Sequence, residues 1–535
     1  MSDSIDSNTS VVNSTTSLGG STPMISIPAT SSKKGPTISL TETVLKQRVE
    51  KYIQLNHFSA ALPLCEQLLN QYPGQAYLLA IKGWCLHKLD RHDEAKPLIL
   101  SAIQQAPEVM QVAKIAFRFL VTQALFEELV DYGRRCLEYH PDDANAWHQI
   151  GTAYYFLGER RSATQAFRRS LSLADTGRTA TNLALSLLCE GQYTEGFRLY
   201  EQRTSYNPKL DWIGSERFPA PRWQGEDIQD KHILCWTEQG LGDAIQFIRF
   251  IKVLAEKGAR VDVLLQPAHR SLHELFSTID GIRRVYRVDR SQVKLSGSYD
   301  YHCSSMSLMY HLGLQVNSIP SCHEYIRLPR TYQQALTQHT QRLLGDQSHR
   351  FLKPLLASSS SVIPRRYKIG IVWTTTLSTV FDKNNPLSDY LKDKKNLTLL
   401  QLSPLFRSVD ADFLSLQYPV SEEDRVYLAN NAIADASANV KSFTDTAVLI
   451  TSLDMVVGID TSVIHLAAAM GKPTLNLLPW ASDWRWQERR DDTPWYPTMQ
   501  LCRQTYKDDW DGVVRRAVTI VRQYLQSQAD SKEGE

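Results

Sequence analysis

Three prolines, Pro73, Pro107 and Pro141, stand at intervals of 34 residues in a stretch otherwise written in helical periodicity. No other feature limits the fold of this chain so tightly. Equal spacing of this kind arises when each helix pair needs its neighbour to bury an apolar face, so that one structural unit is repeated. The next interval falls on Asp175, and the one after lies beside Pro208. Small residues keep the same register. Ala61, Ala95 and Ala163 stand twelve positions before the closing site, Gly83 and Gly151 twenty-four before it, and Ala102, Cys136 and Ser170 five before it. Small side chains there let two helices approach closely, while Trp147, Tyr154 and Phe167 fill the space between repeats. The third repeat departs from the pattern, with Phe117 and Leu129 at two of the small positions.

A period of 34 built of helix pairs is the tetratricopeptide signature. Residues 43–210 are therefore expected to form an α superhelix of about five pairs. Residues 1–42 are dominated by Ser and Thr, cannot bury enough apolar surface, and are expected to be a disordered tail, as are residues 529–535. From residue 211 the texture changes. Short apolar runs at 232–236, 260–265, 284–288 and 299–304 alternate with helical segments. A second series follows at 368–373, 412–416, 454–459 and 474–478. Strands of this length separated by helices imply parallel sheets covered on both faces. Two doubly wound α/β domains are expected, at 211–345 and 368–528, joined by a linker at 346–367. A cleft between them would be the natural ligand site.

Charge and cysteine usage narrow the functional classes. The 535 residues hold 59 Lys+Arg against 57 Asp+Glu, a net of +2, which argues against a nucleic-acid partner. No apolar run approaches the ~18 residues of a transmembrane segment. The N-terminus lacks a basic region followed by an apolar one, so no secretory leader is expected. Eight cysteines without a CxxC pair read as reduced thiols, not as a disulfide framework or zinc site. A cytoplasmic location is expected.

Two strand-to-helix turns carry polar residues suited to chemistry. The first is Glu238-Gln239-Gly240-Leu241-Gly242-Asp243. Gly240 and Gly242 let a ligand approach the backbone, and the helix start offers unpaired N–H groups. Asp243 is either a catalytic carboxylate or a helix cap. Ile245 stands where a third glycine would complete a dinucleotide fingerprint. The second turn runs from Gly458 through Asp460, Thr461 and Ser462 to His465. Thr461 and His465 share a helix face, and hydroxyl and amide groups at a helix start can hold a phosphate. A long polar loop at 374–396 supplies Lys383, Lys392, Lys394 and Lys395, which could neutralise a diphosphate or form a solvated charge run. The cluster Trp480, Trp484, Trp486, Trp495 and Tyr496 could stack on a base or sugar, or pack a loop. Asp410 and Asp412 spell a metal-binding pattern but sit at the wrong end of a strand, and no metal site is expected.

The segment 234–243 with Gln246-Phe247 resembles bacterial proteins that fuse tetratricopeptide repeats to a heptosyltransferase-like, family 9-like glycosyltransferase. So do Ile371-Val372-Trp373, Phe443–Ala447 in sequence, Gly458 to His465 with Gly471-Lys472-Pro473, and Asp483-Trp484-Arg485-Trp486 with Thr493 to Pro497. The resemblance implies a GT-B fold whose second domain holds a nucleotide-sugar donor. It points to Asp243 as the base acting on the acceptor hydroxyl. It assigns the donor to Lys395, Asp460, Thr461, Ser462, His465, Gln417 and Trp373. The expected activity is inverting, metal-independent glycosyl transfer, with a nucleotide sugar as co-substrate and no cofactor. The repeats would present a protein or peptide acceptor. Two other readings are a heptosyltransferase acting on a lipid-linked saccharide and a non-catalytic scaffold whose GT-B fold senses a ligand.

Overall fold

The computed structural model describes residues 40–212, 218, 220–287, 298–352, 366–375 and 386–533. Most of the Ser/Thr-rich tail, much of the linker, and Lys383 lie outside them. The chain divides into two compact units between Thr179 and Ala180.

The first unit is built of antiparallel helix pairs: α1 (Leu40–Gln54) with α2 (Phe58–Gln71), α3 (Ala76–Lys88) with α4 (His92–Gln105), α5 (Met110–Thr122) with α6 (Phe126–Tyr139), and α7 (Ala144–Leu157) with α8 (Arg160–Leu173). The expected small positions are where the pairs touch. A Cβ on Gly83 would lie 2.5 Å from Cγ1 of Ile99, and one on Gly151 would lie 2.7 Å from the Phe167 ring. In the degenerate third repeat Phe117 instead packs its ring against Tyr132 at 5.3 Å. Asp143 caps α7, accepting from the amides of Asn145 and Ala146, and the left-handed Gly158 ends it.

Helix α9 (Gly177–Cys189) spans the division, and α10 (Tyr193–Tyr200) completes the fifth pair inside the second unit. The division therefore falls earlier than the expected boundary at 210. The reason is packing. Tyr193 and Phe197 of α10 join an aromatic cluster with Phe247, Trp484 and Trp495, with ring centroids 5.6–6.1 Å apart for Phe197 on Trp484 and Tyr193 on Trp495.

The remainder of the second unit holds two parallel sheets. Strands β1 (His232–Trp236), β2 (Arg260–Leu265), β3 (Ile282–Arg287) and β4 (Tyr301–Ser304) lie in the order β3-β2-β1-β4. Strands β5 (Tyr367–Val372), β6 (Ala411–Ser415), β7 (Ala434–Asp435), β8 (Met455–Ile459), β9 (Thr474–Leu478) and β10 (Met499–Arg503) lie in the order β10-β9-β8-β5-β6-β7. All pairings are parallel. Strands β1, β6, β8 and β9 are buried along their whole length, as near-continuous apolar runs require. The architecture is a GT-B-like pair of α/β domains behind a helical repeat region. Strand order reverses between β1 and β4 and again between β5 and β8, and ligands bind beyond the carboxyl ends at such switch points.

Three local expectations change. The polar loop at 374–396 contains a helix, Pro386–Lys395, in which Leu387, Tyr390 and Leu391 keep helical spacing within a charged run. The last helix, Trp510–Glu533, runs through the start of the expected C-terminal tail, because residues 526–533 contain neither Gly nor Pro. The amphipathic stretch after Gly240 is divided into Leu241–Phe247, a tight turn at Ile248–Phe250, and Ile251–Glu256. None of the eight cysteines is joined in a disulfide, and seven of them are buried. No helix of the described residues is long and apolar enough to cross a membrane.

Candidate functional site

The Glu238–Asp243 turn leaves the carboxyl end of β1 and opens the Leu241–Phe247 helix. Asp243 folds back on the turn, and its Oδ2 accepts the Gly240 amide at 2.8 Å. Its Oδ1 accepts from Nη2 of Arg485. Asp243 thus caps its helix with one oxygen and pairs with Arg485 through the other. Burial raises the Asp243 pKa, while Arg485 and the Gly240 amide pull it down less strongly.

The turn itself is held by a buried ionic cluster. Nε of Arg203 donates to Glu238 at 2.7 Å, with both side chains essentially inaccessible. Ser304 donates to the same carboxylate at 2.8 Å, and Arg203 also reaches Ser307 at 2.9 Å. Gln239, at a positive φ of 63°, is fixed by a 2.8 Å bond to the Tyr200 hydroxyl.

The second turn leaves the carboxyl end of β8. Asp460 accepts from Nζ of Lys395 at 2.9 Å and stands 3.5 Å from Nε2 of His465. Burial would raise the Asp460 pKa, but Lys395 and His465 outweigh it and hold the carboxyl well below the usual range. The other ring nitrogen of His465 lies 2.8 Å from the Tyr496 hydroxyl. Thr461 caps nothing with its side chain, and its buried hydroxyl has no hydrogen-bond partner among the described residues. Ser462 opens the Ser462–Ala469 helix beside it. The two turns meet directly: a Cβ on Gly242 would lie 2.9 Å from Cδ2 of His465.

The lysines at the end of the Pro386–Lys395 helix diverge. Lys394 pairs with Asp508 at 2.7 Å near the surface, whereas Lys395 points to Asp460. Gln417 is a positioning residue for the loop after β5, accepting the Trp373 and Thr374 amides at 3.3 and 3.0 Å. Trp373 does not join the site. Its ring is 1% exposed in the core with Leu397, Phe413 and Val457, so the expected donor contact through this side chain is corrected to a packing role. The aromatic cluster divides likewise. Trp484, Trp486, Trp495 and Tyr496 are buried, while Trp480 is 45% exposed beyond the carboxyl end of β9. Asp412 pairs with Arg350 at 2.8 Å and Asp410 with Arg366 at 2.7 Å, so both carboxylates serve ion pairs. Among the described residues no three His, Cys, Asp or Glu side chains gather as a metal ion would need.

Sequence reasoning singled out the run around Arg485 without giving that residue a role. An arginine between two tryptophans is the available signal, since its guanidinium stacks on Trp484 at 4.4 Å. Arg249 was also missed. It is 3% exposed, donates to Tyr325 at 2.9 Å and to the Trp495 carbonyl, and lies over the Tyr496 ring at 4.6 Å.

Residues 422–518 match the model of glycosyltransferase family 9 (heptosyltransferase), and residues 144–176 match a tetratricopeptide repeat. Protein FlbA of Caulobacter vibrioides is 23% identical over 463 residues, covering 83% of this chain and 72% of FlbA. Tetratricopeptide repeat-containing protein trd-1 of Caenorhabditis elegans is 25% identical over 160 residues, 30% of this chain and 20% of its own length. A solved MamA from Desulfovibrio magneticus RS-1 aligns with 34% of this chain and 99% of its own, at 12% identity and a TM-score of 0.28. The chain thus joins tetratricopeptide repeats to a heptosyltransferase-like domain, and the two together support a glycosyltransferase.

Proposed function

We propose that the protein is an inverting, metal-independent glycosyltransferase that moves a sugar from a nucleotide-sugar donor to a protein acceptor presented by its repeats. The observation that carries this reading is the meeting of the two turns, Gly240–Asp243 on one sheet and Asp460–His465 on the other. Transfer breaks the bond between the anomeric carbon and the diphosphate and forms one to the acceptor oxygen. Negative charge then grows on the leaving phosphate. The amides at the start of the Ser462–Ala469 helix, the Thr461 hydroxyl and Lys395 are the groups suited to receive it. On the opposite side Asp243 accepts the proton lost by the acceptor hydroxyl, a role that a carboxylate made more basic by burial favours. Displacement from the face opposite the leaving group inverts the anomeric centre.

The repeats support a polypeptide acceptor, because such stacks expose an extended surface for peptides. Eight cysteines without a disulfide support a reducing, cytoplasmic setting. The reading is tested by a thermal-shift panel of nucleoside diphosphates and their sugars on the full chain. One member is expected to stabilise the protein by about 2.7 kcal/mol at a hundredfold excess over Kd. No shift from any member would overturn the donor assignment.

A further inference from the structure

The charges around the two turns are already matched. Arg485 donates through Nη2 to Asp243 and through Nη1 to Asp483 at 2.8 Å, and Lys395 is taken by Asp460. Among the described residues, two cations thus face three carboxylates in these pairs, and the second-turn His465 lies beside Asp460 and Gly242. A diphosphate entering this neighbourhood meets an excess of negative charge unless a cation changes partner. Arg485 is suited to that change. Its planar fork matches phosphate oxygens bidentately, and the guanidinium lies over the Trp484 ring at 4.4 Å. It also sits one residue before Trp486, whose ring packs on His465 at 5.3 Å, so it is placed next to the helix start assigned to the phosphates.

We propose that Arg485 exchanges partners during the reaction, leaving Asp243 for the donor's diphosphate and thereby releasing Asp243 to act as the base. The exchange rests on the donor reading above and adds an order to it: the donor binds first, and its binding arms the acceptor side. No covalent bond changes in this step. One ion pair is replaced by another, and the carboxylate of Asp243 is left with the Gly240 amide at 2.8 Å as its fixed partner. The groups facing it are then His465 from the Ser462–Ala469 helix, Asp483 from the 483–486 turn, and the Tyr200 hydroxyl from α10. With its cation withdrawn and Asp483 still near, the carboxylate of Asp243 holds a proton more readily. Donor binding should therefore take up protons in a manner that depends on both residues.

The test is calorimetry of UDP, GDP and ADP binding to the full chain, repeated in buffers of different ionisation enthalpy from about pH 5 to 8. Proton uptake by the wild-type protein is expected to exceed that of Asp243→Asn, the diphosphate's own ionisation being common to both. Arg485→Gln is expected to lose the excess and to bind the diphosphate at least tenfold more weakly. Arg485→Lys, which keeps the charge, should retain part of both and guards against a folding defect. Equal proton counts in wild type and Asp243→Asn, with binding intact, would overturn the exchange alone. Tight binding by Arg485→Gln would do the same. Failure of all three diphosphates to bind would remove the donor reading and the exchange with it.

Discussion

Gly242 and His465 lie so close that no side chain fits between them: the nearest ring carbon stands 2.9 Å from where a Cβ would be. The ring cannot easily give way. Its Nδ1 is engaged by Tyr496 at 2.8 Å and its face by Trp486. Gly242→Ala should therefore shift the two turns apart. Turnover is expected to fall on the order of 10²-fold, while overpacking costs about 1–3 kcal/mol of stability. Steady-state kinetics beside urea unfolding would check this, and unchanged kcat would show that the contact has no role in alignment.

Removing the proposed base should separate chemistry from binding. Asp243→Asn keeps an oxygen for the Gly240 amide but cannot accept a proton. A loss of about 10²- to 10⁴-fold in kcat is expected, with diphosphate affinity retained. In the wild-type enzyme the raised pKa of Asp243 sets the acid limb of the kcat profile, since activity is lost as pH falls and the carboxylate protonates. That limb should vanish from the residual activity of the variant.

Asp460 behaves in the opposite sense. Its folded pKa lies below its unfolded value of about 3.9, so its contribution to stability is present above that pH and lost as the solution becomes more acid. Lys395→Met removes the strongest influence opposing burial. The acid-unfolding midpoint, followed by circular dichroism, should move to higher pH. Diphosphate affinity should drop about tenfold or more with the lost charge. An unmoved midpoint would mean that Lys395 does not govern the carboxylate.

The Arg203–Glu238 pair should prove costly to halve. Arg203→Met leaves a buried carboxylate with Ser304 and Gln239 as its side-chain donors among the described residues. A loss of about 3–5 kcal/mol in denaturant unfolding is expected, and Glu238→Leu in the same chain should recover much of it. If the single substitution costs under about 1 kcal/mol, the cluster is not what fixes the turn.

What could be read from the sequence was whatever is local or periodic. Prolines and small residues at fixed intervals gave the helix pairs, and the glycine- and aspartate-bearing turns announced themselves within ten residues. The alternation of apolar runs with helices gave the two sheets. What could not be read depends on residues brought together by the fold. Arg485 and Asp243 are 242 positions apart, and Arg249 and Trp495 are 246 apart. Trp373 misled because an aromatic residue at a strand's carboxyl end looks the same whether its ring turns outward or into the core. The Pro386–Lys395 helix was hidden because its apolar stripe is a single turn, Leu387, Tyr390 and Leu391, inside a lysine-rich run.

The interlocking of α10 with the sheets bears on how such a chain can be rebuilt. A transferase cut free at residue 211 would leave the rings of Phe247, Trp484 and Trp495 without Tyr193 and Phe197, and would strand Glu238 without its arginine. Helix α10 is thus a fixed part of the second unit, not an interchangeable bead.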